Sequence, residues 1–405
     1  MPRIIARCVR GLEWVSAEEA DARLGASRIV LGQRDVTFDV PGLNDDLLRL
    51  STVDDVLLAV DGFSGVDHTK AALDELARQL AAVEFRRAVD QLRLLREVPA
   101  HPTFDVVVAL TGKRNYNRYA AEDVAGDVIS PLIEARYVSR NPQRGDGDGE
   151  SAGDAAAPRP GPAPCDLTVR LFLSEQDVQV ALRLPARPPH RRAWKQLTGP
   201  GTLHPPLAAA LVRIAGVQQG ETVADPFCGD GTIAIEAALA GAGAEPGSRI
   251  LATDLDLERL VNAGLNAEAA GVADALHLVR ADVGRPAWRP GSVDTVITNP
   301  PWNRSVGAAG SIEYGMEAFW DALHDGLSDR GRVCLVADAE LDVREQARYH
   351  GFDIALAQTV RLAGRLSVVL LASPPSVRQR AWLPGGLAQW RANAVADDIV
   401  SAEGF

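Results

Sequence analysis

Residues 222–240 read TVADPFCGDGTIAIEAALA, and this stretch decides the fold. Thr222–Asp225 is a short apolar strand closed by an acid. Gly229 and Gly231 follow at a spacing that lets the backbone turn tightly and approach a ligand closely. Thr232–Ala240 is a run of good helix formers. Strand, glycine turn and helix in that order form the opening of a doubly wound α/β sheet.

Working outward, the alternation continues toward the C-terminus. Arg249–Asp254, Leu276–Ala281, Val293–Thr298 and Arg332–Ala337 read as strands, with helices predicted over Leu257–Ala270 and Ile312–Leu327. Asp353–Val360 and Leu366–Ala372 are apolar runs joined by a short turn, which predicts an antiparallel edge. This pattern implies a mostly parallel sheet with crossover helices over residues 206–378. Residues 379–405 read as a mixed tail.

Toward the N-terminus the pattern is shorter and mixed. Strands are expected at Ile4–Arg10, Asp35–Val40, Val56–Val60 and Phe104–Leu110, with helices over Leu12–Leu24, Leu43–Leu50, His68–Leu95 and Ala120–Ile133. Leu167–Leu173 and Val178–Leu184 predict a hairpin turned by SEQD. Asn141–Pro164, NPQRGDGDGESAGDAAAPRPGPAP, has too few apolar residues to offset its ordering entropy, so it reads as a disordered insertion. Small α+β units therefore precede the α/β domain.

Ligands of open α/β sheets bind outside the carboxyl ends of the strands. Three acids fall there. Asp225 closes the first strand. Asp254, about 20 residues beyond the glycines, suits ribose hydroxyls. Asp282, in Ala281-Asp282, suits an adenine amino group. Asp254 also fits a helix-capping role. Asn299-Pro300-Pro301-Trp302 follows the strand Val293–Thr298. Two prolines force the chain out of the ladder. The Asn299 side chain and the Pro300 carbonyl then form two acceptors for an exocyclic amine, and Trp302 offers a face on which a base can stack.

Taken together, DPFCGDGT, TDLD, AD and NPPW resemble the class I S-adenosylmethionine-dependent methyltransferases that act on amino nitrogens. DPFCGDGTIAIEAA is similar to the branch that carries an N-terminal THUMP domain and modifies guanine N2 in RNA. GLEWVSAEEA, KRNYNRY at Lys113–Tyr119, PHRRAWK at Pro189–Lys195 and PLAAAL at Pro206–Leu211 extend the resemblance over nearly the whole chain. It implies a Rossmann-like seven-stranded methyltransferase domain preceded by α+β ferredoxin-like and THUMP domains. The corresponding boundaries are 1–65 (ferredoxin-like), 66–185 (THUMP, with loop 141–164), 186–205 (basic linker), 206–378 (methyltransferase) and 379–405 (tail).

By motif, the resemblance assigns the cofactor S-adenosylmethionine to Asp225, Phe227, Gly229, Gly231, Thr232, Asp254 and Asp282. Catalysis goes to Asn299, Pro300, Pro301 and Trp302. RNA contacts go to Lys113, Arg114, Arg118, Arg191, Arg192, Lys195 and Arg304. The family usually continues NPPY or NPPF with glycine and a basic residue, whereas here Trp302-Asn303-Arg304 stands. The implied reaction is methyl transfer to the exocyclic N2 of a guanosine, with tRNA the expected substrate and 23S rRNA the alternative. DNA adenine-N6 and protein glutamine-N5 methyltransferases share NPPY-type motifs but need no THUMP half. An inactive RNA-binding protein is opposed by the intact motifs, and an NAD enzyme by NPPW and the missing G-x-G-x-x-G run.

Composition bounds these readings. With 42 Lys+Arg against 54 Asp+Glu, the net charge is −12 over 405 residues, which opposes indiscriminate coating of nucleic acid. Yet no acid occurs between Asp177 and Glu221, where Arg183, Arg187, Arg191, Arg192, Lys195 and Arg213 lie. That run reads as a local strip for RNA. Four scattered cysteines (Cys8, Cys165, Cys228, Cys334) and seven histidines show no metal-ligand spacing. No run has the length of a membrane helix and no signal peptide is read, so the expectation is a cytoplasmic, reduced setting with no membrane partner.

Overall fold

The structure is a computed structural model that describes residues 1–142, 144, 165–243, 249–302, 306–362, 364–375 and 381–402. Most of the 141–164 insertion lies outside the described residues, as does Arg304. The chain divides into two compact units, one of Met1–Ile5, Phe38–Arg49 and Asp55–Pro188, the other of Ala6–Thr37, Leu50–Asp54 and Pro189–Phe405.

The N-terminal elements are β1 (Arg3–Cys8), α1 (Glu13–Leu24), β2 (Ser27–Leu31), β3 (Asp35–Asp39), β4 (Val53–Ser64), α2 (Ala72–Leu80), α3 (Phe85–Arg93), β5 (Thr103–Thr111), α4 (Arg118–Ile133), β6 (Arg136–Tyr137), β7 (Leu167–Ser174) and β8 (Asp177–Arg183). Their strands form one sheet of order β2-β3-β1-β4-β8-β7-β5-β6. The unit boundary cuts through β1, β3 and β4.

Within the first unit, β5 and β7 run parallel, β7 and β8 antiparallel, and β8 pairs antiparallel with β4. The segment His68–Leu95 is two helices, not the single one expected. Leu76 and Leu80 face the core, but Phe85 lies five residues on, about 140° off that stripe in a continuous helix. A break at Ala81–Glu84 re-phases the helix so that Phe85, Val89 and Leu92 are buried too. The expected helix at Leu43–Leu50 is only a single 3-10 helix, Asp45–Arg49, with Asn44 Oδ1 accepting from the Asp46 amide. Strand β2 is absent from the sequence expectations because its residues are mostly exposed and give no alternating core signal.

The C-terminal elements are α5 (Pro205–Ala215), β9 (Thr222–Asp225), α6 (Thr232–Leu239), β10 (Arg249–Asp254), α7 (Leu257–Ala270), β11 (Leu276–Arg280), β12 (Val293–Thr298), α8 (Glu317–Gly326), β13 (Leu327–Asp338), α9 (Val343–Tyr349), β14 (Asp353–Leu362), β15 (Arg365–Ser373) and α10 (Gly385–Ala396). Seven strands form a Rossmann-like sheet of order β11-β10-β9-β12-β13-β15-β14. The pairs from β11 through β13 are parallel, and β15 runs antiparallel to both β13 and β14. The expected helix at Ile312–Leu327 begins only at Glu317, and Leu327 already starts β13.

The second unit is closed by segments far apart in sequence. Helix α1 packs on α5 and α10. Arg213 Nε donates to Glu18 Oε2 at 3.1 Å, and Trp390 Nε1 donates to Asp21 Oδ2 at 3.1 Å. The tail therefore holds a packed helix, with Leu387 and Ala394 buried. Gly11, at φ +95°, lies against β14, and a Cβ there would come within 2.6 Å of the Thr359 carbonyl oxygen.

Candidate active site

The strand order reverses direction between β9 and β12. Crevices of open α/β sheets form at that point. Asp225 ends β9 and Asn299 directly follows β12, so the two motifs flank the reversal. They are tied directly, because Thr298 Oγ1 donates to Asp225 Oδ1 at 2.6 Å. A cavity of about 780 Å³ opens here, within the second unit.

The structure brings most of the expected residues to this cavity. Asp225, Phe227, Gly229, Thr232, Asp254 and Asp282 line it. So do Asn299, Pro300, Pro301 and Trp302. Gly231 does not line it. Its φ of +82° and its contact with Ala263, where a Cβ would meet another at 2.9 Å, let α6 start tight against α7.

Asp254 shapes the glycine turn. Its Oδ2 accepts from the Gly229 amide at 2.9 Å, and its Oδ1 accepts from the Asp256 amide at 2.9 Å. Asp282 ties two loops, accepting from the amides of Gly284 and Ser311, each at 2.9 Å. Asp230, within the same glycine turn, also lines the cavity, but its carboxylate is already engaged. It takes the Arg259 guanidinium at 2.7 Å and the Gly199 amide at 2.8 Å, and so anchors the preceding loop.

Several polar atoms in the cavity wall are buried with no partner among the described residues. They are Asp225 Oδ2, Thr232 Oγ1, Asn299 Oδ1, Trp302 Nε1 and Thr202 Oγ1. Buried polar atoms cost free energy unless they are hydrogen-bonded, so this wall is built for a polar ligand. Both a donor-bearing and an acceptor-bearing ligand find complements in it.

Burial pushes the Asp225 carboxyl up to about 7, against the lowering effects of Thr298 and the Phe227 amide. The unliganded fold holds this proton between the ordinary value of 3.8 and about 7, where the unfolded chain does not. Stability contributed through this group is therefore lost as pH rises through that window. Thermal melts of the unliganded protein from about pH 5 to about pH 8 should show this loss, and Asp225→Asn should flatten it. An unchanged slope in the variant would remove Asp225 as its source.

Residues not singled out from the sequence also line the cavity: Arg10, Arg34, Asp54, His204 and Arg361 among them. His204 Nε2 lies 2.7 Å from Asp54 Oδ1, and His190 Nδ1 lies 2.8 Å from the Asp54 carbonyl oxygen. No local motif could reveal a pair whose members are 150 positions apart.

The expected RNA-contacting cations fare differently. Arg114 donates to the carbonyls of Val66, Asp67 and Glu175 and to Tyr116 Oη, so it staples the first unit internally. Arg192 binds Glu236 Oε1 at 2.7 Å and the carbonyls of Pro189 and Ser51. Lys195 donates to the Leu203 carbonyl, and burial lowers its pKa to about 8. Within the acid-free run, Arg183 pairs with Asp55 at 2.8 Å and Arg213 with Glu18. The run is thus largely consumed inside the protein. Lys113, Arg118 and Arg191 are exposed. Arg118 lies 4.7 Å above the Tyr119 ring.

No helix among the described residues is long and apolar enough to cross a membrane. Likewise, no group of His, Cys, Asp or Glu suited to a metal is found among them.

Residues 192–367 match a family model described as the RMKL-like methyltransferase domain. A tRNA (guanine(10)-N2)-dimethyltransferase of Methanothermobacter thermautotrophicus is 33% identical over 156 residues, which cover 38% of this chain and 43% of that protein. A tRNA (guanine(6)-N2)-methyltransferase of Thermus thermophilus is 34% identical over 200 residues, covering 48% of this chain and 57% of that protein. The chain thus spans about half the length of the curated relatives it matches. The crystal structure of TrmN from Thermus thermophilus superposes with a TM-score of 0.70 at 24% identity, over 92% of this chain and 100% of that one. At that identity the likeness shows a shared fold.

Proposed function

We propose that the chain is an S-adenosylmethionine-dependent methyltransferase acting on the exocyclic N2 of a guanosine in tRNA. The observation that carries this reading is one cavity that joins the glycine turn, Asp254 and Asp282 to the Asn299-Pro300 acceptor pair and Trp302. The sequence relatives with guanine-N2 activity on tRNA support the substrate.

The residues present fit the methyl donor. Asp225 Oδ2 and Thr232 Oγ1 are buried and unpartnered, and the turn at Gly229 presents backbone rather than side chain to the cavity. Asp225, Phe227, Gly229 and Thr232 would hold the methionine and ribose part, Asp254 the ribose hydroxyls, and Asp282 the adenine. When bound, the donor supplies an electrophilic methyl group on a sulfonium.

The protein's own contribution is placement. Asn299 Oδ1 and the Pro300 carbonyl accept the two N–H bonds of the guanine amine, which localises its lone pair and aims it. Trp302 holds the base by stacking. A target inside a helix must first leave its stack. Residues 1–65 and 66–185 serve as ferredoxin-like and THUMP modules for the RNA, with exposed Lys113, Arg118 and Arg191 as contacts and Arg304 as a further cation. The setting is cytoplasmic.

The test is methylation of unmodified tRNA by the purified chain, followed by mass spectrometry of the nucleosides. N2-methylated guanosine is the expected product. Methyl incorporation only into adenine, only into DNA, or into no nucleic acid would overturn the proposal.

A further inference from the structure

We propose that Arg10 and Arg361 form a two-guanidinium clamp for a backbone phosphate of the RNA, at the cavity that holds Asn299. This rests on the RNA reading above. Both arginines line that cavity and both are exposed.

The two come from opposite ends of the sequence but share a fixed backbone frame. The Arg361 amide donates to the Arg10 carbonyl oxygen at 3.2 Å. Gly11, in a left-handed conformation, lets the loop after β1 lie directly on β14. A side chain at residue 11 would collide with the Thr359 carbonyl and Val360. The glycine therefore fixes where two positive side chains leave the backbone.

Neither forms an ion pair among the described residues, unlike the other arginines along this cavity. Arg34 lies 3.6 Å from Asp54, Arg259 2.7 Å from Asp230, and Arg365 3.0 Å from Asp338. Among the described residues no carboxylate lies within 4.0 Å of Arg10 or Arg361. Arg10 feels the charge of Glu13, but that carboxylate is buried and already accepts the amides of Gly11 and Arg34 at 2.8 and 2.9 Å. Arg361 Nη1 has only a long contact of 3.4 Å to the Gly364 carbonyl.

Two like charges on the wall of one cavity repel each other, and an anion bound between them removes the repulsion. Guanidinium forks match phosphate oxygens in pairs. In a chain of net charge −12, such a pair beside the amine-binding motif suits a phosphate flanking the target nucleotide.

The experiment compares wild type with the Arg10→Gln/Arg361→Gln double variant. Binding of tRNA is titrated over a range of salt, and S-adenosylhomocysteine affinity is measured by calorimetry. Loss of the single phosphate contact lowers the slope of log affinity against log salt by about 0.7 to 0.9. Affinity for tRNA should fall about tenfold or more, with S-adenosylhomocysteine binding unchanged. An Arg10→Lys/Arg361→Lys variant, which keeps the charge, should restore the slope. An unchanged slope in the glutamine variant would overturn the clamp. So would lost S-adenosylhomocysteine binding with tRNA binding intact, since the pair would then hold a carboxylate of the donor. If wild type makes N2-methylguanosine but the glutamine variant keeps its slope, the clamp fails and the methylation reading stands. If the variant slope falls while wild type methylates no guanosine, the clamp stands and the methylation reading fails.

Discussion

Asn299→Ala is expected to lower methyl transfer to tRNA by at least about 100-fold, the scale of loss when a reacting group is misplaced. Affinity for S-adenosylmethionine should stay within about twofold, because Asn299 follows β12 and is not part of the glycine turn. The Asn299 Oδ1 atom is buried and unpartnered among the described residues, so it is free to accept from a substrate amine. Its backbone is set by β12 before it and by Pro300 after it. Alanine removes the acceptor without disturbing either. Single-turnover rates and calorimetric titration would separate the two effects. Loss of cofactor binding together with turnover would count against the role given to Asn299.

Arg192→Ala is expected to destabilise the protein rather than to weaken RNA binding selectively. Arg192 sits beside Glu236, whose carboxyl is raised by burial and lowered by this guanidinium. Removing the cation leaves a buried carboxylate unpaired and frees the carbonyls of Pro189 and Ser51. Breaking such a pair costs about 3–5 kcal/mol. For a unit of this size that corresponds to a fall in melting temperature of roughly 10 °C. Arg191→Ala, at an exposed neighbour, should stay within about 0.5 kcal/mol. A stable Arg192→Ala protein with weakened tRNA binding would restore Arg192 to the RNA surface.

Arg191 and Arg192 show where reading a sequence stops. A run of residues displays its charges but not their partners. Glu236 lies 44 positions from Arg192 and Glu18 lies 195 from Arg213, so the apparent basic strip could not be seen as internal pairing. The α/β half was legible because its signals are local. Each buried parallel strand is a short apolar run ending in an acid or a turn residue, and β10, α7 and β12 fall where the periodicity places them. The cavity motifs were legible for the same reason, since glycine turn, acids and NPPW each sit at a strand end. Asp54 with His204, and Arg10 with Arg361, meet only through tertiary packing. Helix α10 escaped because only Leu387 and Ala394 are buried, too few to mark a stripe.

The segments that complete the second unit are made at very different times. At about 5–20 residues per second, β14 leaves the ribosome roughly 20–70 s after α1. The stretch Asp55–Pro188 is continuous and can fold while synthesis proceeds. Helix α1, whose Trp14 and Val15 are fully buried in the finished protein, must wait for α5 and α10, on which it packs. A chain stopped before β14 would have its glycine turn and NPPW motif but lack the cavity wall at Arg361, Leu362 and Arg365.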